Sequence, residues 1–195
     1  MTIFRDDRDY RRFLQVLDEV VDEFKVECLN YCGMPNHYHA TIRPTLPNIS
    51  DAMQALNSRY AQWWNWRHNS VGHVFQGRFK AQIVEREQYA LVLSRYIAMN
   101  PVRARLVERP EDWRWSSYAA TIGLCDAPSF LSTQATLALL GEADSITLQK
   151  RFANFVNGGH EDDVTVDHIR SNALVLGSDS FKAAVLGSDG GQTMV

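Results

Sequence analysis

The sequence predicts an α+β fold, in which an antiparallel sheet carries helices on one face and a helical extension follows. Two periodicities predict it: some segments repeat apolar residues at three- and four-residue steps, while others alternate apolar and polar residues. These segments follow one another in the order helix, strand, strand, helix, strand, helix. With 195 residues, of which 45% are hydrophobic, the chain is long enough to bury a core of its own.

The first three elements are predicted to be a helix and a β-hairpin. Residues 6–24 place apolar side chains at helical steps, and their first turn is acidic, which suits the positive end of a helix dipole. Residues 26–33 and 37–43 have the composition of strands. The Met-Pro-Asn turn between these strands joins them into a hairpin.

A second helix, a loop, a third strand and a third helix are predicted next. The helix begins at Asn48 or Ser50 and ends near Arg67, and a glycine-containing loop covers residues 68–77. The third strand and third helix are predicted at residues 78–84 and 86–99, with a further helix start in 110–121; Pro101 ends the third helix. This order is a ferredoxin-like pattern without its first strand.

The character of the sequence changes after Gly123, which predicts a first domain over residues 1–123 and a helical extension over residues 124–195. The elements predicted in the extension are a helix over 133–140 capped by Ser132, a helix over 145–156, a linker over 158–163, one or two short helices over 164–186 and a frayed tail over 187–195.

The formal net charge of −3 conceals a segregation of charge along the chain. Residues 52–110 hold nine basic and three acidic residues, a net charge of +6, and all five tryptophans lie between positions 63 and 115. Basic residues among aromatic rings favour single-stranded nucleic acid, whose phosphates need charge and whose unstacked bases need rings. The alternative is a helical face of tryptophans packed in a core, with the arginines in solvent.

Composition also limits the cellular compartment and the kinds of chemistry that are expected. The three cysteines form no disulfide framework, which predicts a reducing cytoplasm. No apolar run approaches the roughly 18 residues that a membrane span needs, so no membrane partner is expected. The chain has no Gly-x-x-x-x-Gly-Lys-Ser/Thr phosphate loop, which argues against ATP-dependent chemistry.

Two short patterns carry candidate chemistry. His37 and His39 lie on one face of a predicted strand, where two imidazoles can converge on a divalent metal; two half-exposed surface histidines are the alternative. Tyr96 and Asn100 share one face of a predicted helix. A tyrosine can act as a covalent nucleophile and an amide oxygen suits Mg²⁺ or Mn²⁺, whereas a core tyrosine followed by an Asn cap is the alternative.

Four stretches of the chain, in order, resemble the single-tyrosine HUH transposases, most closely the branch called REP-associated tyrosine transposases. The stretches are residues 34–39 (Met-Pro-Asn-His-Tyr-His), 72–80 (Gly-His-Val-Phe-Gln-Gly-Arg-Phe-Lys), 95–104 (Arg-Tyr-Ile-Ala-Met-Asn-Pro-Val-Arg-Ala) and 113–118 (Trp-Arg-Trp-Ser-Ser-Tyr). Members of this family begin with a strand that precedes the segment around Ile3 and Phe4, so the resemblance implies a sheet without its first strand. The uncovered edge makes both a monomer and a homodimer possible.

The resemblance implies a role for each matching residue. His37, His39 and Asn100 fall on the family's metal ligands for Mg²⁺ or Mn²⁺, and Tyr96 falls on its nucleophile. The implied reaction is metal-dependent cleavage and transfer of single-stranded DNA at hairpins or palindromic repeats, through a 5′-phosphotyrosine. Five basic residues are candidates for holding the DNA backbone: Arg78, Lys80, Arg59, Arg95 and Arg103.

Two other functions stay open at this point. A truncated relative could bind hairpin DNA without cleaving it, and it would then show salt-dependent binding with no metal-dependent product. A metallohydrolase built on His37 and His39 would need a third acidic or histidine ligand and a bound water. Its hydrolysis would survive the loss of the Tyr96 hydroxyl.

Overall fold

A computed structural model describes residues 1–77, 79–85, 88–158, 175–176 and 180 of the chain. Within these residues it has six α-helices, a two-stranded antiparallel sheet and a second, two-residue parallel pair of strands, which confirms the α+β class. None of the described helices is both long enough and apolar enough to cross a membrane.

Helix α1 spans Asp7–Phe24, as its periodicity predicts. The Asp6 carboxylate caps it by accepting hydrogen bonds from the backbone N–H groups of Arg8 and Asp9, which no residue within the helix could satisfy. Lys25, in the left-handed region at φ 51°, ends it. The apolar stripe of α1 is buried and contributes Tyr10, Phe13, Val16, Leu17 and Val20 to the main core.

The predicted hairpin is confirmed as strands β1, Val26–Met34, and β2, His37–Pro44. They pair antiparallel, with Cys32 opposite His39 and a bulge at Leu29. Because side chains alternate along a strand, the even-numbered residues of β2 face the core that α1 helps to build. The odd-numbered residues, which include His37, face the other side of the sheet.

Helix α2, Ile49–Arg67, completes the helical layer on the core side of the sheet. Its buried residues Leu56, Tyr60 and Trp64 share a core with α1 and the hairpin. The Tyr38 hydroxyl of β2 reaches α2 and donates to the Asn57 side-chain oxygen at 2.8 Å. This layer fixes which side of β2 is left for the histidines.

Helix α3, Gln88–Arg103, lies on the histidine side of the sheet. The prediction that Pro101 ends this helix is wrong, because the proline lies inside it. A proline removes one N–H donor and crowds the carbonyl four residues earlier, yet the bonds on either side of that gap can persist. Here Ala104 N–H donates to the Asn100 carbonyl at 2.9 Å, and Leu106 N–H donates to the Pro101 carbonyl at the same distance.

The third strand is much shorter than predicted, and it does not join the antiparallel sheet. Strand β3 is only Ile83–Val84, and residues 79–82 are not in a strand. It pairs in parallel with β4, Val175–Leu176, in a range predicted to be helical. The alternation of apolar and polar residues over 78–84 is not enough to form a long strand, because Ile83 is 48% exposed and so contributes little buried surface to strand pairing.

The outer edge of β1 is covered by later parts of the chain. Gly33 N–H donates to the Trp115 carbonyl at 2.9 Å, and Ser132 N–H donates to the Cys28 carbonyl at 2.8 Å. The predicted helix in 110–121 is instead two short pieces. The remaining elements are a 3₁₀ turn at Pro110–Asp112, α4 at Tyr118–Thr121, α5 at Thr133–Leu137 with a 3₁₀ turn at Ala138–Leu140, and α6 at Ser145–Asn157.

The helices of the extension pack on α3 and α4. Phe152 and Val156 of α6 are buried against Ala98 of α3 and Tyr118 of α4. The Asp144 carboxylate caps α6, whereas Ser132 makes no side-chain cap for α5. Most of the linker and short helices predicted over 158–186, and all of the predicted tail over 187–195, lie outside the described residues.

Candidate active site

Two histidines of β2 approach each other through their Nε2 atoms on the side of the sheet that α3 covers. The His37 and His39 Nε2 atoms are 3.2 Å apart, and the two rings stand nearly perpendicular. Two nitrogens bound about 2.1 Å from one ion, at tetrahedral to octahedral angles, stand roughly 3.0 to 3.4 Å apart. The separation is compatible with two ligands of a single cation, and also with a hydrogen bond from one ring to the other.

Both imidazoles are in the form that binds a metal. Burial lowers the pKa of His37, and burial together with the charge of His37 lowers the pKa of His39 to about 4. Near pH 7 the two rings are therefore neutral, and each has a lone pair available. His37 Nδ1 lies 2.7 Å from the Asn36 side-chain oxygen, which favours the tautomer with the proton on Nδ1 and the lone pair on Nε2.

Helix α3 is held at a fixed position over this side of the sheet by one buried polar contact and a small apolar cluster. Asn30 of β1 donates from Nδ2 to the Ser94 hydroxyl at 2.9 Å, and both side chains are buried. Three residues further along α3, Ile97 packs against Cys32 and Met34. Because Cys32 and Met34 pair with His39 and His37, these contacts bring the middle of α3 to the histidines.

Tyr96 lies on α3 beside the histidine pair. Its ring centroid is 5.8 Å from that of His39, and the two rings meet at 84°. The guanidinium of Arg103 lies 4.9 Å from the centroid of the same ring. The structure thus brings together the predicted nucleophile and the predicted metal ligands of β2, which are 57 residues or more apart in the sequence.

Asn100 follows Tyr96 by one turn of α3. Its Nδ2 atom is buried and has no hydrogen-bond partner. Because the oxygen and nitrogen of an amide are interchangeable by a flip, this unpartnered position suits the amide oxygen as well as the nitrogen. In the described part of the chain no group of three or more His, Cys, Asp and Glu side chains is placed to hold a metal.

The five basic candidates for DNA contact lie in different places. Arg103 is at Tyr96, whereas Arg59 forms an ion pair of 2.7 Å with Glu23 on the helical layer. Arg95 is only 8% exposed, with its guanidinium 5.0 Å from the Phe155 ring of α6. Lys80 is exposed but lies outside a strand, and Arg78 lies outside the described residues.

The tryptophans support both sequence interpretations in part. Trp64 is buried in the main core, and Trp63, Trp113 and Trp115 pack partly buried against it. Trp66, at the end of α2, is 75% exposed. The aromatic segment is therefore mostly core, with one ring in solvent.

Some contacts of the site carried little signal in the sequence. The Asn30–Ser94 bond joins residues 64 positions apart, and the Trp113 indole N–H donates to the Gly33 carbonyl at 2.9 Å across 80 positions. The contact between Arg103 and Tyr96 could have been predicted from the sequence, because a residue seven positions after Tyr96 lies two helical turns away on the same face.

The neutral histidines predict a pH dependence of stability in metal-free protein. The unfolded chain binds a proton at His39 below about pH 6.5, whereas the folded chain does so only below about 4. The folded state therefore loses on the order of 2 kcal/mol as the pH falls from 6.5 through 4. Chemical denaturation in EDTA at pH 7 and pH 5 measures this loss, which we expect to be smaller in His39→Gln. An equal loss in the two proteins would contradict the assignment.

Comparison with known proteins adds a family to this geometry. The family model described as "Transposase IS200 like" matches residues 1–100, about half of the chain, and the match includes both histidines, Tyr96 and Asn100. No curated protein and no solved structure gives a significant match.

Proposed function

The chain belongs to the family of IS200-like transposases, enzymes that bind and cleave DNA, and from this premise we propose that Tyr96 is the nucleophile that cleaves one DNA strand. The observation that carries the proposal is the meeting of Tyr96 with the histidine pair, whose Nε2 atoms are 3.2 Å apart. If Tyr96 were only a core residue and the histidines only surface residues, there would be no reason for the three side chains to lie together.

The proposed reaction is a transesterification at a phosphodiester of single-stranded DNA. The Tyr96 hydroxyl oxygen attacks phosphorus and becomes linked through it to the 5′ end of the downstream fragment, while the bond from phosphorus to the 3′ oxygen of the upstream fragment is broken. The proton lost by the phenol is balanced by the proton that the departing 3′ oxygen gains. Attack by another 3′-hydroxyl reverses the steps and rejoins the strand, so no nucleotide cofactor is consumed.

His37, His39 and Asn100 are the residues that would hold a divalent cation in this proposal. When bound, Mg²⁺ or Mn²⁺ supplies charge neutralisation at the phosphate oxygens. The chain contributes two neutral imidazoles and a buried amide whose nitrogen lacks a partner. The apolar cluster around Ile97 holds α3 against the sheet and so fixes the distance between nucleophile and ligands.

The finer features of the proposal follow the motifs. We place the chain in the REP-associated branch of single-tyrosine enzymes, with hairpins or palindromic repeats in single-stranded DNA as its substrates and a monomer or homodimer as its working form. A cytoplasmic location, where such DNA is accessible, belongs to the same proposal.

A strand-specific adduct assay tests this function. The purified 195-residue chain is incubated with a pool of single strands that carry a hairpin flanked by randomised positions, labelled at either end. With Mn²⁺ we expect the 3′ label to become attached to protein in denaturing gels and the 5′ label to appear on a shorter free fragment. EDTA should abolish both products.

Variants with altered histidines complete the test. The double change His37→Ala and His39→Ala should lower the Mn²⁺-dependent adduct by roughly 100-fold or more, whereas the exposed His73→Ala should leave it intact. DNA binding without any adduct would instead favour the non-cleaving module. Metal-dependent cleavage with the label never on protein would favour a hydrolase.

A further inference from the structure

Arg103, the last residue of α3, contacts Tyr96 in two ways. Its guanidinium carbon lies 4.9 Å from the centroid of the Tyr96 ring, within the range of a cation–π contact. The Nη1 atom of the same guanidinium donates a hydrogen bond of 3.0 Å to the Tyr96 backbone carbonyl. One side chain thus holds both the ring and the backbone of the proposed nucleophile.

Pro101 lies inside α3, between Tyr96 and Arg103. Pro101 has no N–H to donate, and its ring crowds the carbonyl four residues before it, at Ile97. Arg103 lies two residues beyond the proline, on the same face as Tyr96.

The Tyr96 ring needs an external constraint, since its hydroxyl supplies none. Within the described residues the hydroxyl makes no hydrogen bond, and the ring is only partly buried. Its orientation therefore depends on the contacts of the ring: His39 edge to face, the guanidinium of Arg103, and the apolar cluster beside Ile97. Of these neighbours of the ring, Arg103 is the one that also donates a hydrogen bond to the Tyr96 backbone carbonyl.

We propose that Arg103 is a positioning residue, which holds the Tyr96 ring beside the histidine pair in the orientation that attack on the phosphate requires. The inference rests on the proposed function for the role of Tyr96. It differs from the expectation that Arg103 binds the DNA backbone. A planar guanidinium can stack on a ring while one nitrogen donates to a carbonyl, whereas a lysine ammonium is a point charge that still attracts phosphate but cannot do both.

Substitution by lysine separates the two roles. Arg103→Lys should slow single-turnover adduct formation about tenfold while the Kd for the same DNA stays within about twofold and its salt dependence is unchanged. Arg105→Lys, an exposed neighbour, serves as the matched control and should keep the wild-type rate. Guanidinium chloride at low concentration should partly restore the rate of Arg103→Ala.

A second readout does not depend on activity. Protein labelled with 3-fluorotyrosine gives one ¹⁹F resonance for Tyr96, which the Tyr96→Phe variant identifies. We expect this resonance to shift in Arg103→Lys and to stay in place in Arg105→Lys. If the wild type forms no adduct, the proposed function fails, and this resonance still tests whether Arg103 holds the ring.

Three results would overturn the inference. A wild-type rate in Arg103→Lys would show that the guanidinium is not needed. A weaker Kd with a smaller salt slope in Arg103→Ala, restored by lysine, would assign Arg103 to the DNA backbone. An unmoved Tyr96 resonance in Arg103→Lys would show that the ring is held by other contacts.

Discussion

Replacing Tyr96 with phenylalanine is expected to reduce the covalent protein–DNA adduct below detection. Phenylalanine keeps the ring that contacts His39 and Arg103 but lacks the oxygen that forms the bond to phosphorus. Loss of a nucleophile in other enzymes lowers the rate by roughly 10⁴-fold or more, far beyond the effect of losing a packing contact. The measurement is the amount of label retained on protein in denaturing gels with Mn²⁺ present.

The control for this substitution lies on the same helix. Tyr89 is a partly buried tyrosine two turns earlier, and Tyr89→Phe should keep the wild-type yield of adduct. The affinity of Tyr96→Phe for single-stranded DNA should stay within about twofold of wild type, since a phosphate-binding surface is unaffected by one hydroxyl. An adduct that persists in Tyr96→Phe would remove Tyr96 from the chemistry.

The largest effect on stability is expected at Asp9, a fully buried carboxylate on α1. It accepts hydrogen bonds from the Arg5 backbone N–H at 2.7 Å and from the Arg67 guanidinium, and its oxygens lie 3.0 and 3.1 Å from His68 Nε2. Asp9→Asn keeps the shape but removes the charge, so Arg67 loses a buried partner. We expect the free energy of unfolding to fall by about 3 kcal/mol.

An exposed aspartate on the same helix provides the comparison. The Asp22 side chain is 86% exposed and pairs with Lys25 at 2.8 Å, so Asp22→Asn should change the stability by less than about 0.5 kcal/mol. Urea denaturation of both variants measures the difference, which corresponds to a fall in Tm of roughly 6–12 °C for Asp9→Asn alone. Equal stabilities would show that the Asp9 network contributes little to joining α1 and α2.

The local geometry of the site follows from period and spacing. Alternation along β2 correctly places His37 and His39 on one face, opposite Tyr38. Helical spacing correctly places Asn100 one turn after Tyr96, since α3 continues through both residues. These inferences succeed because they depend only on the dihedral angles of one segment.

The parts that sequence reasoning missed depend on contacts between distant segments. The position of α3 over the sheet is set by the Asn30–Ser94 bond, and α1 is joined to α2 through Asp9 and His68, 59 positions apart. The predicted length of the third strand was wrong for the same reason, because an alternating segment forms a strand only where a partner strand and a buried face exist. The prediction that Pro101 ends the third helix was wrong because a helix tolerates one missing N–H donor when the neighbouring hydrogen bonds hold.

Identification of the peptide that carries DNA tests the central claim most directly. Trypsin cleaves after Arg95 and Arg103, and the released peptide, residues 96–103, contains a single tyrosine. After nuclease and trypsin treatment of the Mn²⁺-dependent adduct, mass spectrometry should find this peptide heavier by one nucleoside 5′-phosphate on Tyr96. The same mass on any other peptide, or an unmodified Tyr96 peptide throughout the purified adduct, would contradict the assignment of Tyr96 as the nucleophile.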